Sequence, residues 1–247
     1  MKICVAQTKP MAGDIQYNTE QHVKLIDIAS SSKADIVIFP ELSLTGYEPK
    51  LSKKLATDPN DGRLECFQKM SDTHCITIGV GMPIKGQRGT LIGMIIFQQN
   101  SSRQTYFKQY LHADELPYFV PGQSEIFLDL NKHKIAPAIC YESLLPEHSE
   151  RAFKSGANIY IASVAKSARG VEKAFEHFPE IAKKYSMPVL MSNCIGPSDN
   201  FVSVGKTSVW NHEGTLMGQL DDTSEDILVF DTDRQEVLSK FVRGKMK

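Results

Sequence analysis

Residues 134–147, KIAPAICYESLLPE, open with a short apolar run from Ile135 to Ile139, interrupted by Pro137, and place Cys140 where that run stops. Pro146 follows; it suits the first turn of a helix, where its missing N–H is not needed. The stretch reads as strand, tight corner and helix, with Cys140 on the corner. A thiol in that place lies near backbone N–H groups and the positive end of a helix dipole, which favours thiolate over thiol. That is a nucleophile's setting. Cysteine is also among the most buried residue types, so Cys140 gains meaning only from what the rest of the chain brings to it.

On either side of this stretch, apolar segments alternate with amphipathic ones. Residues 2–8, 34–39, 75–81, 91–98, 104–107, 127–130 and 135–139 read as strands in the first part of the chain, and residues 16–31 and 61–74 as helices, the second N-capped at Asp61. Residues 146–155 read as a helix closed by Gly156, and 157–164 as a strand. Residues 171–185 carry Ala174, Phe178, Ile181 and Ala182 at helical spacing, although Pro179 is expected to kink or divide that helix. Strands at 188–193, 206–210 and 227–230 complete the pattern. Several consecutive strands lack a helix between them, which points to layered α/β structure with mixed sheets, not a doubly wound parallel sheet. No linker, charge block or low-complexity run divides the chain, so residues 1–247 are expected to form one domain.

The 247 residues include 28 Lys+Arg and 29 Asp+Glu, a formal charge of −1 that supplies no basic footprint for nucleic acid. No apolar run approaches the roughly 18 residues of a membrane span, and the N-terminus, MKICVAQTKP, is too short in its apolar part for a signal peptide. Five widely spread cysteines without a CxxC pair argue against a disulfide framework or a zinc ribbon. A reduced, cytoplasmic setting is the expectation. His112 and Asp114 lack a second cluster at ligand spacing, so no metal is expected, and Lys183 with Lys184 reads as a solvated helix face.

Two other residues can serve Cys140. Glu41 follows an apolar strand directly, in FPELSLTGY, and a carboxylate at such a strand end has its pKa raised toward the range of a general base at neutral pH. Lys108 follows the strand QTYF; a fixed ammonium beside backbone N–H groups can hold the anionic tetrahedral intermediate that a thiolate makes on an amide or nitrile. One carboxyl can protonate the leaving amine and then deprotonate water. Cysteine, glutamate and lysine together are a complete set for covalent hydrolysis of a C–N bond. Tyr47, Tyr118, Phe119 and Tyr141 lie in the same segments and either line a pocket or pack in the core.

Over nearly its whole length the chain resembles the nitrilase superfamily of carbon–nitrogen hydrolases. FPELSLTGY, YFKQYLHADELPYFVPG and ICYESLLPE occur in the family's order and match its catalytic glutamate, lysine and cysteine at Glu41, Lys108 and Cys140. The middle motif also matches the family's second glutamate at Glu115, which there assists the lysine and positions substrate, with Phe119 and Gly122 completing the pattern. GKTSVWNHEGTL, residues 205–216, is similar to the family's small-residue strand pair. The resemblance implies a four-layer αββα sandwich with the three residues at one end of the two sheets, an oxyanion hole from Lys108 and the Tyr141 N–H, no metal or organic cofactor, and a homodimer or larger assembly.

The chain also departs from the family pattern. Ser143, Leu144 and Leu145 occupy a segment where many members carry an arginine, and Glu142 stands where aspartate is common, so the usual ionic partner of that acid is expected to be missing. The CYE form resembles the N-acyltransferase branch, which has membrane spans, and FPELSLTGY resembles the glutaminase domain of some NAD synthetases; a free-standing amidase is the expectation. The expected activity is hydrolysis of a small amide or carbamoyl compound, through a cysteine thioester and with release of ammonia. Acyl transfer from the same thioester and nitrile hydrolysis are the alternatives, and a catalytically dead binding protein on this fold is a third class that the intact Glu41, Lys108 and Cys140 argue against.

Overall fold

A computed structural model describes residues 1–123 and 125–240. In chain order its strands are β1 (Lys2–Gln7), β2 (Ile36–Ile38), β3 (Thr77–Lys85), β4 (Thr90–Phe97), β5 (Gln104–Phe107), β6 (Leu128–Leu130), β7 (His133–Ile139), β8 (Ile159–Val164) and β9 (Val189–Asn193). They continue with β10 (Ile195–Ser198), β11 (Phe201–Val204), β12 (Ser208–Trp210), β13 (Leu216–Gln219), β14 (Asp226–Asp231) and β15 (Glu236–Lys240). The helices are α1 (Ile15–Ser31), α2 (Ser52–Leu55), α3 (Glu65–His74), α4 (Pro146–Lys154) and α5 (Ala168–Tyr185).

Two large mixed sheets result, ordered β15-β14-β1-β2-β3-β4-β5 and β13-β12-β9-β8-β7-β6, with β10 and β11 as a separate hairpin. The near-continuous apolar runs of the inner strands follow from burial on both faces, side chains alternating between them. In β1, Ile3 and Val5 face the other sheet while Cys4 and Ala6 face α1 and α3. In β8, Ile159 and Ile161 face the first sheet while Tyr160, Ala162 and Val164 meet α5. The three apolar clusters are thus helix on sheet, sheet on sheet and sheet on helix, which is the four-layer αββα order.

The sheets are stitched together at one end. β1, β2 and β3 run parallel, as do β7, β8 and β9. At the C-terminal ends of these strands Ser163 Oγ donates to the Phe39 carbonyl at 2.8 Å and Ser192 Oγ to the Ala6 carbonyl at 2.6 Å, while Thr8 bridges Cys194. These bonds satisfy buried groups where the strands leave their ladders.

The second sheet carries the strand, corner and helix read from residues 134–147: β7 ends at Ile139, a 3₁₀ turn spans Cys140–Leu144, and α4 begins at Pro146. Asp61 caps a short 3₁₀ turn, Gly62–Leu64, ahead of α3, its side chain accepting from Arg63 N. Pro179 does not divide α5, which runs unbroken through it and starts earlier than its apolar spacing indicates. The buried stripe Val171, Ala174, Phe178, Ile181 and Ala182 seats the helix on the sheet, and this packing outweighs the hydrogen bond that proline removes. Among the described residues no helix is long and apolar enough to cross a membrane.

Gly81 on β3 makes room for the segment that follows β2. A Cβ there would stand 2.3 Å from Leu42 N and 2.5 Å from the Pro40 carbonyl oxygen. That close approach lets Leu44 N donate to the Gly81 carbonyl at 3.0 Å and Gly81 N to Ser43 Oγ at 3.2 Å. Replacing Gly81 by Ala is expected to destabilise the protein by about 3 kcal/mol or more, because backbone on both sides resists overpacking. Urea denaturation of the variant measures this; an unchanged midpoint would contradict the close approach.

Candidate active site

Lys108, the residue after β5, is buried with its ammonium between two carboxylates. Its Nζ donates to Glu41 Oε1 at 2.8 Å and to Glu115 Oε1 at 2.6 Å. Tyr47 Oη donates to the same Glu115 oxygen at 2.9 Å, and His112 N donates to the other at 2.8 Å. Glu41, Lys108 and Glu115 are each only 1% exposed, so each charge must find its compensation inside the protein. Burial alone would lower the lysine's pKa, but the facing Glu41 and Glu115 raise it, and Lys108 stays an ammonium. Burial, with help from the Glu115 charge, pushes the Glu41 carboxyl up to about 7 against the pull of Lys108. Tyr47 is pushed far above its ordinary value by burial and by Glu41 and Glu115, so it remains a neutral donor.

Gly122 closes the segment that carries Glu115. Its N–H donates to the Lys108 carbonyl at 2.7 Å, and a Cβ would lie 2.5 Å from that of Phe107. The Phe119 N–H donates to the Glu115 carbonyl at 2.9 Å, while the Phe119 ring is buried in the core between the sheets and is absent from the pocket wall.

Cys140 sits at the corner with φ +50°, a left-handed conformation that costs a non-glycine residue on the order of 1–3 kcal/mol and persists only where its surroundings impose it. Glu142 does much of the imposing. Its Oε1 accepts from Ile139 N at 2.8 Å and from Tyr106 Oη at 2.6 Å, and its Oε2 accepts from Gln109 N at 2.7 Å and Tyr110 N at 3.2 Å. One carboxylate therefore joins the corner that bears Cys140 to the segment that follows Lys108. Tyr106 Oη also meets His148 Nε2 at 3.0 Å, and His148 Nδ1 meets Tyr160 Oη at 2.7 Å. Burial lowers His148 to about 4, so it is neutral at pH 7 and is no ionic partner to Glu142. The absent arginine is replaced by neutral donors.

The thiol differs from the sequence-based expectation. Burial first, then the Glu41 charge, pushes Cys140 up to about 12 against the opposing pull of Lys166 and Lys108. The five-residue 3₁₀ turn after Cys140 is too short a helix to offset that. The resident form is the protonated thiol, whose Sγ lies 3.7 Å from the Ala165 carbonyl. Oε2 of Glu41 has no close polar partner among the described residues, and hydrogen bonding with the Cys140 thiol favours the carboxylate.

A cavity of about 250 Å³ opens above this group, with Cys140, Lys108, Glu115 and Tyr47 on its wall beside Tyr141 and Phe201. The Tyr47 and Phe201 rings stand 5.6 Å apart, and Tyr141 meets His112 edge-on at 5.2 Å. Tyr118 is exposed and lines a separate surface cavity with Lys50, Ser52 and Lys53. Residues 167–173 are the cap and first turns of α5, and Ser167, Gly170 and Lys173 line the Cys140 cavity. Three wall residues have no place among the sequence-based candidates, Ala165, Lys166 and Phe201. Lys166 carried a usable signal, because it follows the apolar strand IASVA just as Glu41 follows IVIFP. Among the described residues no group of three or more His, Cys, Asp and Glu could hold a metal ion, and all five cysteines are unpaired.

The family described as "Carbon-nitrogen hydrolase" matches residues 2–239. A glutamine-dependent NAD(+) synthetase of Aquifex aeolicus is 27% identical over 260 residues, which cover 97% of this chain and 44% of that protein. The chain thus spans less than half the length of that relative. A "Hydrolase in agr operon" of Staphylococcus aureus is 27% identical over 251 residues, 96% of this chain and 93% of that one. Among solved structures, the NitN amidase of Nesterenkonia sp. AN1 superposes with a TM-score of 0.85 over 94% of this chain and 92% of that one, at 22% identity, and one of its variants was solved with butyramide.

Replacing Glu142 by Gln keeps the shape but exchanges an acceptor for a donor facing Gln109 N and Tyr110 N. The expected cost is about 2–3 kcal/mol, since buried N–H groups lose a charged partner. Chemical denaturation checks it, and a loss below about 0.5 kcal/mol would show that the clamp is dispensable.

Proposed function

The chain belongs to the carbon–nitrogen hydrolase family, enzymes of the amidase and nitrilase type, and from that premise we propose that it hydrolyses a small non-peptide amide through a thioester on Cys140, releasing ammonia. The observation that carries this reading is the half-buried Cys140 on a pocket wall shared with Lys108, whose ammonium holds a Glu41 carboxyl of near-neutral pKa.

The reaction runs as follows. The Glu41 carboxylate takes the Cys140 S–H proton as Sγ bonds to the amide carbon, and the C=O pair moves onto oxygen. That oxyanion is held by the Lys108 ammonium and the Tyr141 N–H. The intermediate collapses, the C–N bond breaks, and the proton on Glu41 passes to the departing nitrogen, which leaves as ammonia. A water then enters; Glu41 takes its proton while the hydroxide attacks the thioester. The C–S bond breaks, the thiolate recovers the proton, and a carboxylic acid is released. Glu115 holds Lys108 in place, and Tyr47 holds Glu115. Butyramide, seen with the structural neighbour, belongs in the first substrate panel.

Cys140→Ser is expected to lower ammonia release by at least about a thousandfold with the fold intact, because the hydroxyl is a far weaker nucleophile in this setting. Intact mass should show an acyl adduct on the wild-type chain and none on the variant. Undiminished turnover in Cys140→Ser would refute the assignment.

The pH dependence has a definite sign. Glu41 is needed as the carboxylate, and burial raises its pKa, so kcat/KM should rise with pH through a limb near neutrality. Glu41→Gln should remove that limb and cost about 10²- to 10⁴-fold. A flat profile in the wild type would rule out Glu41 as the base.

A further inference from the structure

We propose that Lys166 and the first turn of α5 form a carboxylate-binding subsite, so that the amide hydrolysed at Cys140 carries an anionic group at its other end. This rests on the amide-hydrolase reading and deepens it.

Lys166 is 4% exposed and stands on the wall of the same cavity as Cys140. Among the described residues its ammonium has no carboxylate partner and makes no hydrogen bond to protein. A lysine buried to this degree is ordinarily paired, since desolvating a charge is costly. Lys108, 1% exposed, has two carboxylates; Lys166, among the described residues, has none.

Its place is nonetheless built. Lys166 N donates to Asn193 Oδ1 at 2.9 Å, and its carbonyl accepts from Val204 N at 3.2 Å and Asn193 Nδ2 at 3.4 Å. The aliphatic stem runs over Gly170, where a Cβ would lie 3.2 Å from that of Lys166. Glycine in the first turn of a helix thus leaves room for the lysine.

A second positive source converges there. Ser167 caps α5, and both Ser167 and Gly170 line the cavity. An 18-residue helix presents unsatisfied N–H groups and a positive dipole end at that point. Helices commonly place acids in their first turn to offset this; α5 has none there and carries Lys173 on the cavity wall instead. The acidic residues on the cavity wall are already engaged, Glu115 by Lys108 and Asp114 by His112 at 2.7 Å, and Glu41, behind the wall, is held by Lys108 as well. The uncompensated charge at the α5 end is positive, and a carboxylate on the substrate would supply the missing partner.

Lys166 also lowers the proton affinity of the Cys140 thiol, by more than Lys108 does, so an absolute rate is not a clean readout. A selectivity ratio is. Glutaramate and valeramide differ only in a terminal carboxylate against a methyl group. The wild type is expected to favour glutaramate in kcat/KM by at least about tenfold, chiefly through KM, and Lys166→Met to lower that ratio at least about tenfold. Lys166→Arg should keep much of it. Because the substitution removes an unpaired buried charge, Lys166→Met should melt at or above the wild-type temperature. An unchanged ratio, or a wild type that favours valeramide, would overturn the proposal.

A separate titration isolates the subsite from the chemistry. Glutarate should bind the Cys140→Ala protein in calorimetry and bind at least about tenfold more weakly when Lys166→Met is added. If neither amide is turned over but this difference is found, the hydrolase reading falls and the anion subsite stands. If glutarate binds both proteins equally or neither, the subsite falls.

Discussion

The ammonium of Lys108, held out of water between Glu41 and Glu115, sets the terms for the rest of this structure. Stripping water from a charge costs several kcal/mol, which is offset only by close, well-oriented partners. The chain therefore brings three segments, at residues 41, 108 and 115, to within 2.8 Å of one nitrogen. Much of the surrounding architecture serves that convergence. Gly81 lets the Glu41 segment lie on β3, Ser163 pins Phe39 across the gap between the sheets, and Gly122 folds the Glu115 segment back onto the Lys108 backbone. Cys140 is tied to the same place through Glu142, which accepts from Ile139 N on one side and Gln109 N on the other.

The corner at Cys140 illustrates what sequence reveals and what it leaves open. An apolar run, a polar break and a proline at helix position N1 determine strand, corner and helix through local preferences, and those preferences act in the folded chain as they do in isolation. Glu41 is legible for the same reason, following a run too apolar to be anything but a buried strand. Lys108 follows the half-polar QTYF and is legible only through its relation to Cys140 and Glu41 and through the motif around it. The protonation state of the thiol is not legible in this way. It depends on how much protein surrounds sulfur, and a short 3₁₀ turn cannot offset that burial. The unbroken course of α5 through Pro179 and the partners of Glu142 are likewise tertiary outcomes: packing of a buried stripe in one case, four donors from three segments in the other. The β10–β11 hairpin is not legible in sequence because both strands are four residues long and IGPS is interrupted by Gly and Pro.

Proton affinities also constrain the order of events in the proposed reaction. Burial disfavours the charged Cys140 sulfur, and the neighbouring Glu41 charge disfavours it further. A thiolate is therefore not a resident species, and S–H cleavage must accompany bonding of sulfur to carbon. The ion cluster makes that feasible without creating new charge. With Glu41 and Glu115 ionised around Lys108 the group carries one net negative charge. As the proton moves to Glu41, that charge passes to sulfur and then to the substrate oxygen. Lys108 remains beside it throughout, so the site relocates a charge it already contains.

The same arithmetic bears on the substrate. A cluster with one net negative charge, in a cavity of low dielectric, repels a second anion at close range. An amide with a carboxylate tail could approach Cys140 only if that tail met a cation of its own, away from Lys108. Lys166 is such a cation: it is fixed by Asn193, given space by Gly170, backed by the α5 N-terminus and, among the described residues, free of any acidic partner. For a neutral substrate the arrangement would return nothing, since a largely buried lysine side chain would bring an unpaired charge to the cavity wall with no group to meet it. The separation of two lysines, one neutralised at the reacting end and one left uncompensated at the other, is the charge pattern suited to a molecule with an amide at one end and an anion at the other.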